Sequence, residues 1–278
     1  MEYRAVDVHV HVGNLNHWKP WVKEWWRRAN PRDLAMVRDD GSLDREAFIG
    51  HLEAIGVKYA VVLAERSPAT TCDVTTWEVL EFCEGEPRLI PFCNINIHLT
   101  EDPLGEFREY LDAGVRGLKI HPVHQLFYPN HARLYPLYAL AQERGIPVMF
   151  HTGSSIFPGA KIKFGDPLYL DDIAVDFPDL TIIMSHGGRG FWYDRAQFLA
   201  KIRPNVYIDV SGLPPSRLLD YFPDLERLKE KFLFGTDWPG AMIDKNIEAL
   251  LALPISPAAK EAILMKNATR LLGLDEGR

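Results

Sequence analysis

The chain has 278 residues, 47% of them hydrophobic, enough for one large core or two ordinary ones. A formal net charge of −7 argues against nucleic acid or an anionic membrane as a partner. No apolar run approaches the roughly 18–20 residues of a membrane span, and the charged start Met1-Glu2-Tyr3-Arg4 lacks the pattern of a signal peptide. Cys72, Cys83 and Cys93 form no close metal-binding pair, which points to reduced packing residues and a cytoplasmic protein.

From Ala5 to Gly13, Val6, Val8, Val10 and Val12 alternate with Asp7, His9 and His11. This period of two predicts a β-strand. His9 and His11 then share a face, about 7 Å apart at Cα, close enough to converge on one metal ion. The valine face is expected to pack against outer helices. Next, His17 to Asp40 carries Trp18, Trp21, Trp25 and Trp26 among Lys19, Lys23, Arg27 and Arg28, with Pro20 and Pro31 as breakers. The tryptophan spacing fits a short amphipathic helix. The segment 17–40 is either a lid or an aromatic patch against a second copy in a homodimer.

Beyond it, helices and strands alternate. A helix Arg45–Ile55 behind the Asp44 cap precedes a strand Tyr59–Ala64, and a helix Val74–Cys83 precedes Leu89–Asn96. Helix Pro103–Ala113 leads to Arg116–His121, Leu134–Arg144 to Pro147–His151, and Pro167–Phe177 to Thr181–His186. Helix Phe191–Ile202 leads to Val206–Ser211, and a helix Ser216–Lys229 to Phe232–Thr236. Helices Lys245–Leu253 and Pro257–Leu272 close the chain. Eight strands, each followed by a helix, predict a single (β/α)8 TIM barrel over 1–278 with a C-terminal helix. No Gly-x-Gly-x-x-Gly follows the first strand, which disfavours a dinucleotide fold.

The residues capable of chemistry gather at the C-terminal ends of these strands. Strand one ends in His9 and His11, strand four in Lys119-Ile-His121-Pro122, and strand five in His151-Thr-Gly153. Strand six ends in Ser185-His186-Gly-Gly188 and strand eight in Gly235-Thr236-Asp237-Trp238-Pro239. In a parallel barrel these ends share the rim where active sites are built. Glu65, Arg66, Asn94, Asn96, Arg189 and Asp209 face the same rim, each equally readable as a barrel-stacking or ion-pair residue. Arg189 would suit a substrate carboxylate. His17, His51, His98, His124 and His131 fall in loops or helices and are set aside.

In this order the motifs resemble the amidohydrolase superfamily, in the branch that includes aminocarboxymuconate-semialdehyde decarboxylase and aromatic-acid decarboxylases. Lys266-Asn-Ala-Thr-Arg-Leu-Leu-Gly-Leu274 resembles that branch's last helix. The resemblance implies one divalent metal, zinc first and Mn2+ or Fe2+ as alternatives, held by His9, His11, His151 and Asp237. It implies His186 as the catalytic histidine, with Asp237 both ligand and general base for the metal-bound water. Lys119, His121, Arg189 and Trp238 would contact a small-molecule substrate. Lys119 stays uncarboxylated if one metal is bound and bridges two metals if carboxylated.

Two reactions suit this set. One is hydrolysis of an amide, ester or lactone in a small carboxylate-bearing substrate by a metal-bound hydroxide; the other is non-oxidative decarboxylation of an unsaturated or aromatic acid. The chain is short for the decarboxylases and shows no long late insertion, which puts hydrolysis narrowly ahead. A non-catalytic binding barrel would need all five rim motifs to persist without chemistry.

Overall fold

A computed structural model describes residues 4–275; Met1, Glu2 and Tyr3 of the charged start, and 276–278, lie outside the described residues. Eight parallel strands follow one another around a single sheet. They are β1 (Ala5–His11), β2 (Val57–Leu63), β3 (Leu89–Asn94), β4 (Gly117–Ile120), β5 (Val148–Gly153), β6 (Ile182–Arg189), β7 (Val206–Asp209) and β8 (Phe232–Leu233). The amides of Val8 and His11 donate to the carbonyls of Phe234 (3.0 Å) and Trp238 (2.7 Å), bringing the end of β8 back to β1 and nearly closing a barrel. The TIM barrel expected from the alternation is present. No helix among the described residues is long and apolar enough to cross a membrane.

The barrel interior is filled by Val6, Val8, Val61, Leu63, Ile90, Phe92, Met149, Ile183 and Leu233, with Ala268 and Leu272 of the last helix against them. A larger outer core joins strands to helices. The valines of β1 do not share one face, contrary to the alternation. Val6 and Val8 point inward, whereas Val10 and Val12 join the outer core. The pairing of β1 with β2 slips between Asp7 and Val10, and this bulge, which contains Val8 and His9, exchanges the faces ahead of His11.

Two predicted helices need correction. Ser216–Lys229 contains only one α-turn, Leu218–Tyr221, because Pro223 forces Phe222 out of helical geometry (φ −130°, ψ 80°). The last helix is α over Pro257–Glu261, π over Ala262–Lys266 and α again over Asn267–Leu272. Phe234 N donates to the carbonyl of Ile263 at 2.9 Å, so the barrel engages a carbonyl of the widened turn.

Candidate active site

At the C-terminal rim, backbone irregularity aims the side chains. His151 pairs with Ser185 but Gly153 pairs with Arg189, so three residues of β6, His186 to Gly188, oppose Thr152 alone. Among the described residues only Leu126, His186 and Asp237 have positive φ without being glycine. Two of the three are expected catalytic residues, which fits the habit of functional sites to hold unusual backbone. Gly187 and Gly188 serve this bend. A Cβ would strike Phe222 at the first and the Trp192 carbonyl at the second, so they leave room for packing, not for a ligand.

His9 Nδ1 lies 2.6 Å from Asp209 Oδ2 and 2.8 Å from Ser211 Oγ. The carboxylate accepts there, which keeps the proton on Nδ1 and leaves the Nε2 lone pair bare. That Nε2 is 3.2 Å from His11 Nε2, and both stand 3.4 Å from Asp237 Oδ1. A tetrahedral ion with bonds of about 2.0–2.1 Å sets its ligand atoms about 3.3–3.4 Å apart. The triangle's edges lie within 0.1 Å of that range. Two imidazole nitrogens and a carboxylate are also the donor types a zinc-type ion takes, so these residues fit a metal.

The rest of the ring is buried around this triangle. His186 Nδ1 donates to the Ser211 carbonyl at 2.9 Å, which leaves its Nε2 as an acceptor. His151 Nε2 is 3.3 Å from the Ser154 carbonyl, and its ring centroid is 4.6 Å from that of His186. Burial holds His121, His151 and His186 well below the usual histidine range, and His9 at about 4, so all four are neutral at pH 7. Burial would raise the Asp237 carboxyl, but its hydrogen bond with His11 and the neighbouring imidazoles and Arg189 hold it well below the carboxylate range. It stays ionised, with Oδ1 toward the histidines and Oδ2 3.8 Å from Arg189 Nη1.

A family model described as Amidohydrolase matches residues 6–274. The chain belongs to the amidohydrolase family. Gamma-resorcylate decarboxylase of Rhodococcus jostii (strain RHA1) is 26% identical over 188 residues, covering 53% of this chain and 56% of that protein. The chain thus aligns with only about half the length of that curated relative. An uncharacterized TIM-barrel protein from Bordetella bronchiseptica is 27% identical with a TM-score of 0.81, over 97% of this chain and 98% of that one. At 18% identity, two further structures share the fold. A probable 2-pyrone-4,6-dicarboxylic acid hydrolase from Acinetobacter baumannii has a TM-score of 0.68, over 99% of this chain and 100% of that one. A 2,6-dihydroxybenzoate decarboxylase has 0.71, over 98% and 99%.

In this member of the family, His9, His11, His121, His151, His186, Arg189 and Asp237 line one cavity, with Trp18, Val22, Trp25 and Phe157 as its apolar wall. Lys119 and Trp238 do not line it. Lys119 is fully buried, donates to Ser185 Oγ at 2.7 Å, and is pushed down to about 8 by burial. Trp238 packs between Trp26 and Phe48 and donates from Nε1 to Asp33 at 2.9 Å, so it braces the rim and touches no substrate space. Arg66 pairs with Asp73 at 2.9 Å, and Asn94 bonds Arg66 N, Gln125 and the Lys119 carbonyl; both are structural.

His124, set aside on sequence, lines the same cavity, as does Glu65. Pro122 opens a four-residue helical turn, Pro122–Gln125, that carries His124 back toward β4. The i, i+3 spacing of His121 and His124 across a proline was the available signal.

Proposed function

We propose that this amidohydrolase-superfamily enzyme is a metal-dependent hydrolase that cleaves an amide, ester or lactone of a small carboxylate-bearing substrate. The observation that carries the reading is the triangle of His9 Nε2, His11 Nε2 and Asp237 Oδ1, with edges of 3.2, 3.4 and 3.4 Å. His9, His11 and Asp237 would hold the ion and His151 would complete the set; zinc is favoured by the nitrogen-rich donors. When bound, the ion supplies Lewis acidity and makes water more acidic. His186 presents a bare Nε2 and moves the proton there. Arg189 receives the substrate carboxylate, because its present contacts, 3.2 Å to the Ser154 carbonyl and 3.4 Å to that of Gly212, leave donors to spare.

Decarboxylation is the second reading, supported by the likeness to gamma-resorcylate decarboxylase and by the apolar wall of Trp18, Val22, Trp25 and Phe157. Metal analysis of untagged protein, followed by a screen of lactones, amides, esters and aromatic carboxylates, separates the two. Carbon dioxide and acid release are scored separately. Acid release without carbon dioxide is the expected result; carbon dioxide alone overturns hydrolysis. Retention of a full metal equivalent in His9→Ala/His151→Ala would overturn the ligand set.

A further inference from the structure

The cavity holds a second group of ligand-type side chains, two of which, His121 and His124, the hydrolytic reading leaves without a task. His121, His124 and His151 each bring one ligand atom within 4.8 Å of the others. Their ring centroids are 5.7 Å (121–124), 4.8 Å (124–151) and 6.3 Å (121–151) apart. Glu65 stands behind them. Its Oε1 is 2.9 Å from Nδ1 of His124 and 3.7 Å from Nδ1 of His121, while Oε2 is 4.0 Å from Nδ1 of His11. A carboxylate on the Nδ1 side of an imidazole fixes the tautomer and leaves the lone pair on Nε2; in His124 that Nε2 now lies 2.9 Å from Ser155 Oγ, a contact that an ion would replace. Thr71 donates to the same Oε1, which holds the carboxylate in place.

His121 gives independent evidence. The residue is 1% exposed, yet neither ring nitrogen has a hydrogen-bond partner. A buried, doubly unpaired imidazole inside a polar cluster asks for a ligand. We propose that His121, His124 and His151 bind a divalent transition-metal ion of their own, oriented by Glu65, beside the centre of His9, His11 and Asp237.

Three imidazole nitrogens select zinc, cobalt or nickel over magnesium and calcium, which take oxygen ligands. His151 donates one lone pair and serves one ion at a time. With both ions bound, the first centre keeps His9, His11 and Asp237, and His186 is the further imidazole within reach of His9 and Asp237. The proposal rests on the hydrolytic reading only in treating that centre as separate.

The test is metal content. Chelator-stripped full-length protein is reloaded with Co2+ or Zn2+, desalted, and the bound ion measured by mass spectrometry, with circular dichroism confirming the fold. Wild type is expected to take up two ions per chain and His124→Ala one, with His124→Gln as a second variant should the alanine fail to fold. His9→Ala/Asp237→Asn should also keep one, lost when His124→Ala is added. One ion in wild type that His124→Ala and His124→Gln both retain overturns the second site and leaves the first intact. One ion that His124→Ala loses but His9→Ala/Asp237→Asn retains upholds the three-histidine site and overturns the ligand set of the hydrolytic reading instead.

Discussion

His9 and Asp209 meet at 2.6 Å across 200 residues of sequence, with Ser211 Oγ bonded to both, at 2.8 Å and 2.7 Å. The pair joins the ends of β1 and β7 and decides which nitrogen of His9 faces the cavity. Asp209→Asn removes the charge and the tautomer control but keeps the shape. It should weaken zinc binding by about 10–100-fold, the scale of lost outer-shell support, with the fold preserved. Competition against a chromophoric chelator measures it, and unchanged affinity would show that Asp209 is only a packing residue.

His186→Asn should retain the metal and cost about 10²–10⁴ in turnover, the range for lost acid–base help. Asparagine is the substitution of choice because His186 has φ +64°, a conformation that Asn tolerates better than most residues. Its side chain can still donate to the Ser211 carbonyl while offering no basic nitrogen. Normal kcat with normal metal content would assign the proton to another group.

Periodicity and motif order made the barrel and its rim legible, because parallel strands carry strong alternation and the rim motifs recur at each strand end. Individual orientation was not legible. The bulge between Asp7 and Val10 turns one apparent valine face into two, and no local signal in Val-His-Val-His announces it. Trp238 sits within a rim motif, yet its indole leaves the cavity for Asp33, a partner 205 residues away. His124 was hidden for the opposite reason: a proline-started turn folds it back onto a cavity that sequence distance does not reveal. Asp209 and Glu65 were visible only as rim carboxylates, since second-layer contacts depend on the register between strands.

Arg189 offers a sharper check on substrate class. Arg189→Met should raise KM for a carboxylate-bearing substrate by roughly 10–100-fold, since a hydrogen bond to a charged group contributes about 1.5–3 kcal/mol. Arg189→Lys should recover part of that loss, because it keeps the charge but not the fork. Equal effects on a neutral analogue, such as the methyl ester of the acid, would mean that Arg189 acts by holding Asp237 and not the substrate.

The tryptophan segment is tied down at both ends, which bears on whether it acts as a lid. Pro20 starts the helix Pro20–Ala29, whose buried face is Val22 and Trp26, while Trp18 lies before it in extended backbone and is also buried. At its start, Lys19 N and Trp21 Nε1 donate to the carbonyls of Thr71 and Thr70 at 2.8 and 2.7 Å. Past its end, buried Asp33 accepts from Asn30 and Trp238, and Arg32 grips Asp244 through two bonds of 2.8 and 2.9 Å. Trp25 is the half-buried member. It meets Phe157 edge-on at 5.4 Å and lines both the histidine cavity and a neighbouring cleft that contains Ser154, Leu213 and Gly240. The pair therefore forms a partition whose base is fixed. Trp25→Ala should merge the two spaces and change KM or substrate preference with metal content untouched. Gly240→Ala should act on the same partition from behind, because an added Cβ would lie 1.8 Å from the Trp25 ring and must displace it. Kinetics over substrates of increasing length, with a sizing column alongside, decide the matter: longer substrates gaining in Trp25→Ala is the expected result. Weakened self-association with unaltered kinetics would make the segment a subunit contact, and no effect on either would leave Trp25 as packing alone.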